Sequence, residues 1–229
     1  MNFAIVTAQF IWNDGKMLIL LFAAIAAPSV PTITQYQVIN LPKPEIQAAA
    51  PKSDVPEVPF YSQFKDITSP KWQKVGCGVT SLAMVVDYYK PAVSVNKLLE
   101  QGIAGGAYLQ NAGWTYKGLI QISQKYGLDG VSYDLGKKSA DAAFTQFKND
   151  LKGGPVIASV HYKFDPKSTI PHLVVINGIK DGVLTYNDPA AKTGAKQIST
   201  ADFLKAWKKR YIVVRPKSES GTIALAQKN

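Results

Sequence analysis

After Gly76 the apolar positions recur at helical spacing. Val79, Leu82, Ala83 and Val86 fall at i, i+3, i+4 and i+7, which predicts a helix beginning at Cys77 and ending before Pro91. Similar but weaker patterns predict helices near 95–101, 116–126, 140–151 and 201–208. Gly127 would close the second of these, Ser139 would cap the third, and Thr200 or Ser199 the fourth. Apolar, β-branched runs without helical period predict strands at about 156–161, 172–178, 182–187 and 211–215. Asp181-Gly182 stands between two of those strands as a hairpin turn. Helices come first and strands cluster later, so the pattern predicts an α+β domain with a helical half packed against an antiparallel sheet.

The N-terminal quarter reads differently. Met17 to Val30 is an apolar run of 14 residues preceded by Lys16, shorter than the roughly 18 apolar residues a membrane span needs. Residues 1–27 are therefore expected to be a secretory signal peptide, cut near Ala26, or an N-terminal anchor, with either Met1 or Met17 as the start. Seven of the 14 prolines lie between Pro28 and Pro59, so residues 28–57 read as an extended linker. A single domain over 58–217 and a disordered tail over 218–229 complete the expected layout.

Chemistry narrows the picture further. The chain has one cysteine and two histidines, which excludes an internal disulfide and offers no C-x₂-C or H-x₃-H spacing for a metal; no cofactor is expected. Cys77 lies between two glycines at a helix start, where unpaired N–H groups and the helix dipole favour a thiolate. A buried structural cysteine is the competing reading. His172 opens one strand of the 172–187 hairpin, and Asn187-Asp188-Pro189 closes the other. A hairpin brings those ends together, so a base and an orienting partner would meet beside a nucleophile. Strand alternation lets only one of Asn187 and Asp188 turn toward the cleft. Asp188 is expected to take that role, with Asn187→Ala nearly silent. His161 ends another strand and is expected to be structural.

From about Val58 to Pro216 the chain resembles the C39-like cysteine peptidases of the papain-like superfamily. The matching pieces are Val58-Pro59-Phe60-Tyr61-Ser62-Gln63, Gly76-Cys77-Gly78-Val79-Thr80-Ser81-Leu82-Ala83-Met84, Gly153-Gly154-Pro155-Val156-Ile157, His172 through Gly178, and Asn187-Asp188-Pro189. The resemblance implies the papain-like fold and a cysteine-type peptidase. It makes Cys77 the nucleophile, His172 the base and Asp188 the orienting acid. It also implies that an upstream glutamine helps the Cys77 N–H form an oxyanion hole. Gln63, which closes its motif, is the expected donor, and Gln73 is the alternative.

Charge bears on partners. Formal net charge is +10, and eight Lys or Arg stand against one acid between Lys192 and Lys217. Only two of the 26 basic residues are arginine and no nucleic-acid motif is present, so nucleic acid is not expected. A secreted or cell-envelope monomer is expected, acting on a peptide or peptidoglycan-like substrate, with a basic surface suited to anionic envelope polymers or membrane surfaces. Two function classes stay open: a hydrolase working through a thioester, and a catalytically idle domain that binds an envelope ligand in the same cleft. The loops at 102–114 and 163–171 are expected to shape that cleft.

Overall fold

The computed structural model describes residues 6–13, 16–23, 55–110 and 113–217. They fall in two compact units. The first contains strands β1 (Val6–Asn13) and β2 (Lys16–Ala23), which pair antiparallel with Val6 opposite Ala23 and Asn13 opposite Lys16. The sequence reading named a targeting segment or anchor here and foresaw no strands. Val6, Thr7, Phe10, Ile11 and Trp12 are strand formers, and Asn13-Asp14-Gly15 is a turn sequence. The expected cut near Ala26, most of the Pro-rich stretch and the tail from Ser218 lie outside the described residues. Among the described residues no helix is long and apolar enough to cross a membrane.

The second unit starts with helices α1 (Pro70–Gln73), α2 (Cys77–Tyr89) and α3 (Val95–Ala104). A two-stranded ribbon, β3 (Tyr108–Leu109) with β4 (Gly113–Trp114), leads into α4 (Tyr116–Gln124). Then come β5 (Leu128–Asp134), α5 (Ala140–Leu151), β6 (Val156–His161), β7 (Pro171–Lys180) and β8 (Val183–Asn187). Strand β9 (Lys196–Ser199), helix α6 (Thr200–Ala206) and strand β10 (Trp207–Pro216) complete it. Six strands form one antiparallel sheet in the order β5-β10-β6-β7-β8-β9.

The expected elements form for the expected reasons. Ser139 caps α5 by accepting from the Ala142 N–H, and Ser199, rather than Thr200, caps α6 through the Asp202 N–H. Lys90, held extended by Pro91, ends α2. Gly127 turns the chain after α4 at φ 73°, a left-handed angle that glycine adopts without a steric penalty. The Asp181-Gly182 turn has both residues at positive φ, as a tight hairpin with matching twist requires.

The sheet separates two cores. Ile157, Val175, Ile212 and Val214 face α2, α3 and α4. On the other face Val156, Ala158, Val174 and Val213 meet Phe147 of α5 and Phe203 of α6. Helices thus cover both faces, and the helical half foreseen from the sequence is the one that carries Cys77.

Candidate active site

Cys77 is the first residue of α2, after Gly76 as N-cap with no side-chain capping bond. Gly76 ends the turn that leads into α2, but neither flanking glycine has a left-handed φ, so conformational freedom does not account for them. Close packing is the reason instead. A Cβ on Gly78 would lie 2.8 Å from Trp114, and one on Gly76 would run into Ile67 and crowd Gln63. Trp114 is fixed by its Nε1–H, which donates to the Val75 carbonyl at 2.7 Å. The start of α2 is therefore pressed between the Gln63 segment and the β4 tryptophan, with the half-buried thiol at the edge of a cleft.

His172, the second residue of β7, is 4 % exposed. Its Nε2–H donates to Asp188 Oδ1 at 2.6 Å, and Cys77 is its other side-chain hydrogen-bond partner. Because Asp188 occupies Nε2, Nδ1 is the nitrogen left for the thiol. Tyr162 stands perpendicular to the imidazole at 5.2 Å. Burial disfavours the His172 cation, but the hydrogen bonds to Asp188 and Cys77, followed by their charges, outweigh it and raise its pKa from 6.5 to about 9. Burial also opposes the Asp188 carboxylate. The His172 hydrogen bond and charge, with the Ala190 N–H, overcome that and hold its carboxyl below the usual value.

Hydrogen bonding decides between Asn187 and Asp188. Asp188, just past the end of β8, reaches His172, whereas Asn187 lies opposite Val175 in the β7–β8 ladder and is turned into the packed interior. Asn187 is fully buried and not idle. Its Nδ2 donates to the Val58 and Pro59 carbonyls at 3.0 and 3.3 Å, and its Oδ1 accepts from the Ala195 N–H at 2.7 Å. It ties the incoming 58–60 segment to the hairpin and to the turn after Pro189. The expected near-silence of Asn187→Ala concerns turnover; its burial adds a role in stability that polarity alone did not signal.

The two glutamines have different places. Gln63 is 4 % exposed and lines the cleft beside Cys77. Its N–H donates to the Pro189 carbonyl at 2.8 Å, linking the glutamine segment to the Asp188 turn. Its Nε2 donates to the Gln73 carbonyl at 2.6 Å, and its buried Oε1 meets no partner among the described residues. Gln73 does not line the cleft; its side chain donates to the Ile67 carbonyl. Gln73 therefore positions Gln63 through its backbone, and the loop between them closes on itself. His161 Nδ1 donates to the Ser168 carbonyl at 2.6 Å and pins the 162–170 loop.

The cleft has a volume of about 790 Å³. Trp114, Tyr116, Leu173 and Ile170 give it apolar walls, and both loops singled out from the sequence contribute, through Tyr108, Gln110, Gly113 and Trp114 and through Ile170 and Pro171. Sequence reasoning missed Tyr116 and Ser159. Their side chains hydrogen-bond each other at the cleft wall, and burial raises the Tyr116 pKa against that bond. Ser159 sits in an apolar strand, where a lone buried hydroxyl needing a partner was the available signal.

An antiparallel sheet with Cys77 on the helix against it, and His172 and Asp188 on its hairpin, defines a papain-like cysteine peptidase fold. Residues 55–215 match the Peptidase_C39 like family, and the chain belongs to that family. It is 29% identical over 167 residues to the uncharacterized protein YvpB of Bacillus subtilis (strain 168), a match that takes in 58% of this chain and 65% of YvpB. The chain thus spans about 65% of the length of that curated relative. Two solved structures share the fold. A C39-like protein from Bacillus anthracis, described as a peptidase, has a TM-score of 0.51 at 21% identity over 70% of this chain and 96% of its own. A double glycine motif protease from an AMS/PCAT transporter, in complex with the leader peptide, has a TM-score of 0.50 at 22% identity over 72% and 96%.

Proposed function

We propose that this protein is a cysteine peptidase or related hydrolase that cleaves a peptide or isopeptide bond through Cys77, His172 and Asp188. The observation that carries this reading is His172, held between the Cys77 thiol and the Asp188 carboxylate at the edge of an open cleft. With the shared proton already on Nδ1 of His172, whose cation Asp188 and Cys77 favour, Sγ bonds to the substrate carbonyl carbon and the carbonyl π pair moves onto oxygen. That oxyanion accepts hydrogen bonds from the Cys77 N–H and from the second Nε2 hydrogen of Gln63, the first being given to Gln73. Collapse expels the amine, which takes the proton from His172 and leaves a thioester. Water then gives its proton to His172 and adds to the thioester, and the acid leaves as the thiol is restored. Asp188 fixes the imidazole tautomer and favours its cation in each step.

Purified protein incubated with a peptide library and with peptidoglycan, each beside a Cys77→Ala control, tests this reading. New amine and acid termini that appear only with the intact cysteine are expected. Their absence on both substrates would leave the idle binding domain as the better account. On the same reading the protein works outside the cytoplasm, in or beyond the cell envelope, after export through the apolar N-terminal segment. Mass spectrometry of the native protein should find a mature N-terminus between Ala27 and Val30. An intact soluble chain in the cytoplasm would overturn export.

A further inference from the structure

We propose that the cleft selects peptides bearing an acidic side chain close to the bond placed at Cys77. For turnover the inference rests on the peptidase reading; for binding it does not. Lys74, Lys208 and Arg210 line the cleft, and among the described residues no aspartate or glutamate does. Lys74 comes from the Cys77 wall, three residues before the thiol, and the other two come from the sheet wall. Any ligand seated between Cys77 and His172 therefore meets positive charge from both sides.

The sheet-side cations are placed by a distortion of the strand. Strand β10 pairs Trp207 with Val160 and next Arg210 with Ser159, so Lys208 and Lys209 are looped out of the ladder. Lys209 takes a left-handed φ of 52°, strained for a residue with a Cβ. Bulges of this kind re-aim side chains beside functional sites. The Lys209 carbonyl and ammonium are used internally, accepting from the Leu135 N–H and donating to the Lys138 carbonyl, both at 2.9 Å. Lys208 and Arg210 are the members of the bulge that reach the cleft.

Arg210 is held by one edge. Its Nε donates to Asp134 Oδ2 at 2.9 Å, and the Gly136 N–H fixes that carboxylate from behind. The terminal nitrogens remain, a fork that suits a second carboxylate. Among the described residues neither Lys74 nor Lys208 forms an ion pair. A peptide fits this site better than a polyanionic polymer. The three cations sit apart in a walled cleft, interleaved with Trp114, Tyr116 and Leu173, whereas a chain of repeating charge favours an open basic stripe.

The test uses the Cys77→Ala protein, so that binding is read without turnover. Fluorescent peptide pools identical except for Glu or Gln at each position are compared by anisotropy. The Glu pool should bind about ten-fold tighter at low salt, with the advantage falling as salt rises. Lys74→Gln combined with Lys208→Gln should abolish that preference and leave the unfolding midpoint unchanged, whereas Lys192→Gln, an exposed lysine that does not line the cleft, should keep it. In the protein with Cys77 intact, the same ratio should appear in kcat/KM, chiefly through KM. Equal binding of the Glu and Gln pools overturns the inference, and so does a Glu preference that survives in the double variant. Dextran sulfate bound more tightly than the Glu pool, and weakened by the double variant, overturns the peptide in favour of a polymer. Glu preference without any Cys77-dependent turnover overturns the peptidase reading and leaves the inference standing.

Discussion

On the sheet face that carries Cys77, the core is mostly aliphatic: Val79, Leu82, Met84 and Val86 of α2 lie against Ile157, Val175 and Ile212. The opposite face is aromatic. Phe147 of α5 lies 5.5 Å from Phe203, 4.9 Å from Trp207 and 5.2 Å from Tyr211 between ring centroids. Polar groups divide in the same way. Beneath the aromatic face Tyr211 donates to Asp150, and Arg215 donates to the carbonyls of Asp150, Gly154 and Pro155, closing the end of α5. On the cleft side the start of α2 has no side-chain cap, the Gln63 Oε1 is unpartnered among the described residues, and His172 is buried with a raised pKa. One face satisfies its polar groups and the other holds some in reserve. The aromatic face is therefore expected to supply stability and the cleft face to supply chemistry.

The largest effect should come from the cleft. His172→Ala should lower turnover by about 10⁴-fold or more while the protein stays folded. Asp188→Asn should cost about 10²-fold or more. It should also reshape the pH profile. His172, raised to about 9, should set the alkaline limb of kcat/KM near that pH. Its main support is the Asp188 hydrogen bond, so Asp188→Asn should move the limb to lower pH. An unmoved limb would mean that Asp188 does not hold the imidazolium. The linked stability has a definite sign. The raised pKa stabilises the fold fully below about pH 6.5, and that contribution is lost as pH rises through about 9. Urea midpoints measured from pH 6 to 10 should fall, and His172→Ala should remove that part of the fall.

The matching change on the other face is Phe147→Ala. Phe147 is fully buried, and its removal should cost about 3–5 kcal/mol. Activity per folded molecule should be unchanged. A loss of turnover in protein shown to be folded would break the division of labour between the faces.

How far the sequence reached follows the same division. Helix α2, helix α5 with its Ser139 cap, and strands β6, β7 and β8 were legible because their apolar period is strong and turn residues bound them. Strands β5 and β9 were not foreseen. They are the edges of the sheet, where Asp129, Ser132, Lys196 and Gln197 mix with few apolar residues; edges commonly carry such polarity because it discourages unwanted pairing. At the site, the hairpin argument placed His172 beside Asp188, and pattern alone could go no further. That Gln73 acts through its carbonyl, and that Asn187 is buried under Val58, are facts of long-range backbone packing with no local signature.

Asn187 tests the boundary between the faces. It lies at the cleft end of β8 but serves the fold, so Asn187→Ala should behave as a stability mutant. Losing it leaves the Val58 carbonyl and the Ala195 N–H without their buried partner, at a cost of about 1–3 kcal/mol. Thermal unfolding should show that loss, with kcat close to wild type. A lowered kcat at unchanged stability would exchange the roles of Asn187 and Asp188.

The smallest effect separates the two helix starts. Ser139 satisfies the Ala142 N–H at the start of α5, whereas Gly76 offers α2 no side chain at all. Ser139→Ala should therefore cost about 1 kcal/mol, a fall of about 2–4 °C in Tm for a domain of this size, with turnover unchanged. A comparable cap cannot be added to α2, because any Cβ on Gly76 would collide with Ile67. The uncapped start is thus enforced by packing, and it leaves the N–H groups around Cys77 free to meet a developing oxyanion. If Ser139→Ala lowered turnover as well as Tm, the stability of α5 would reach the cleft, and the two faces could not be treated as independent.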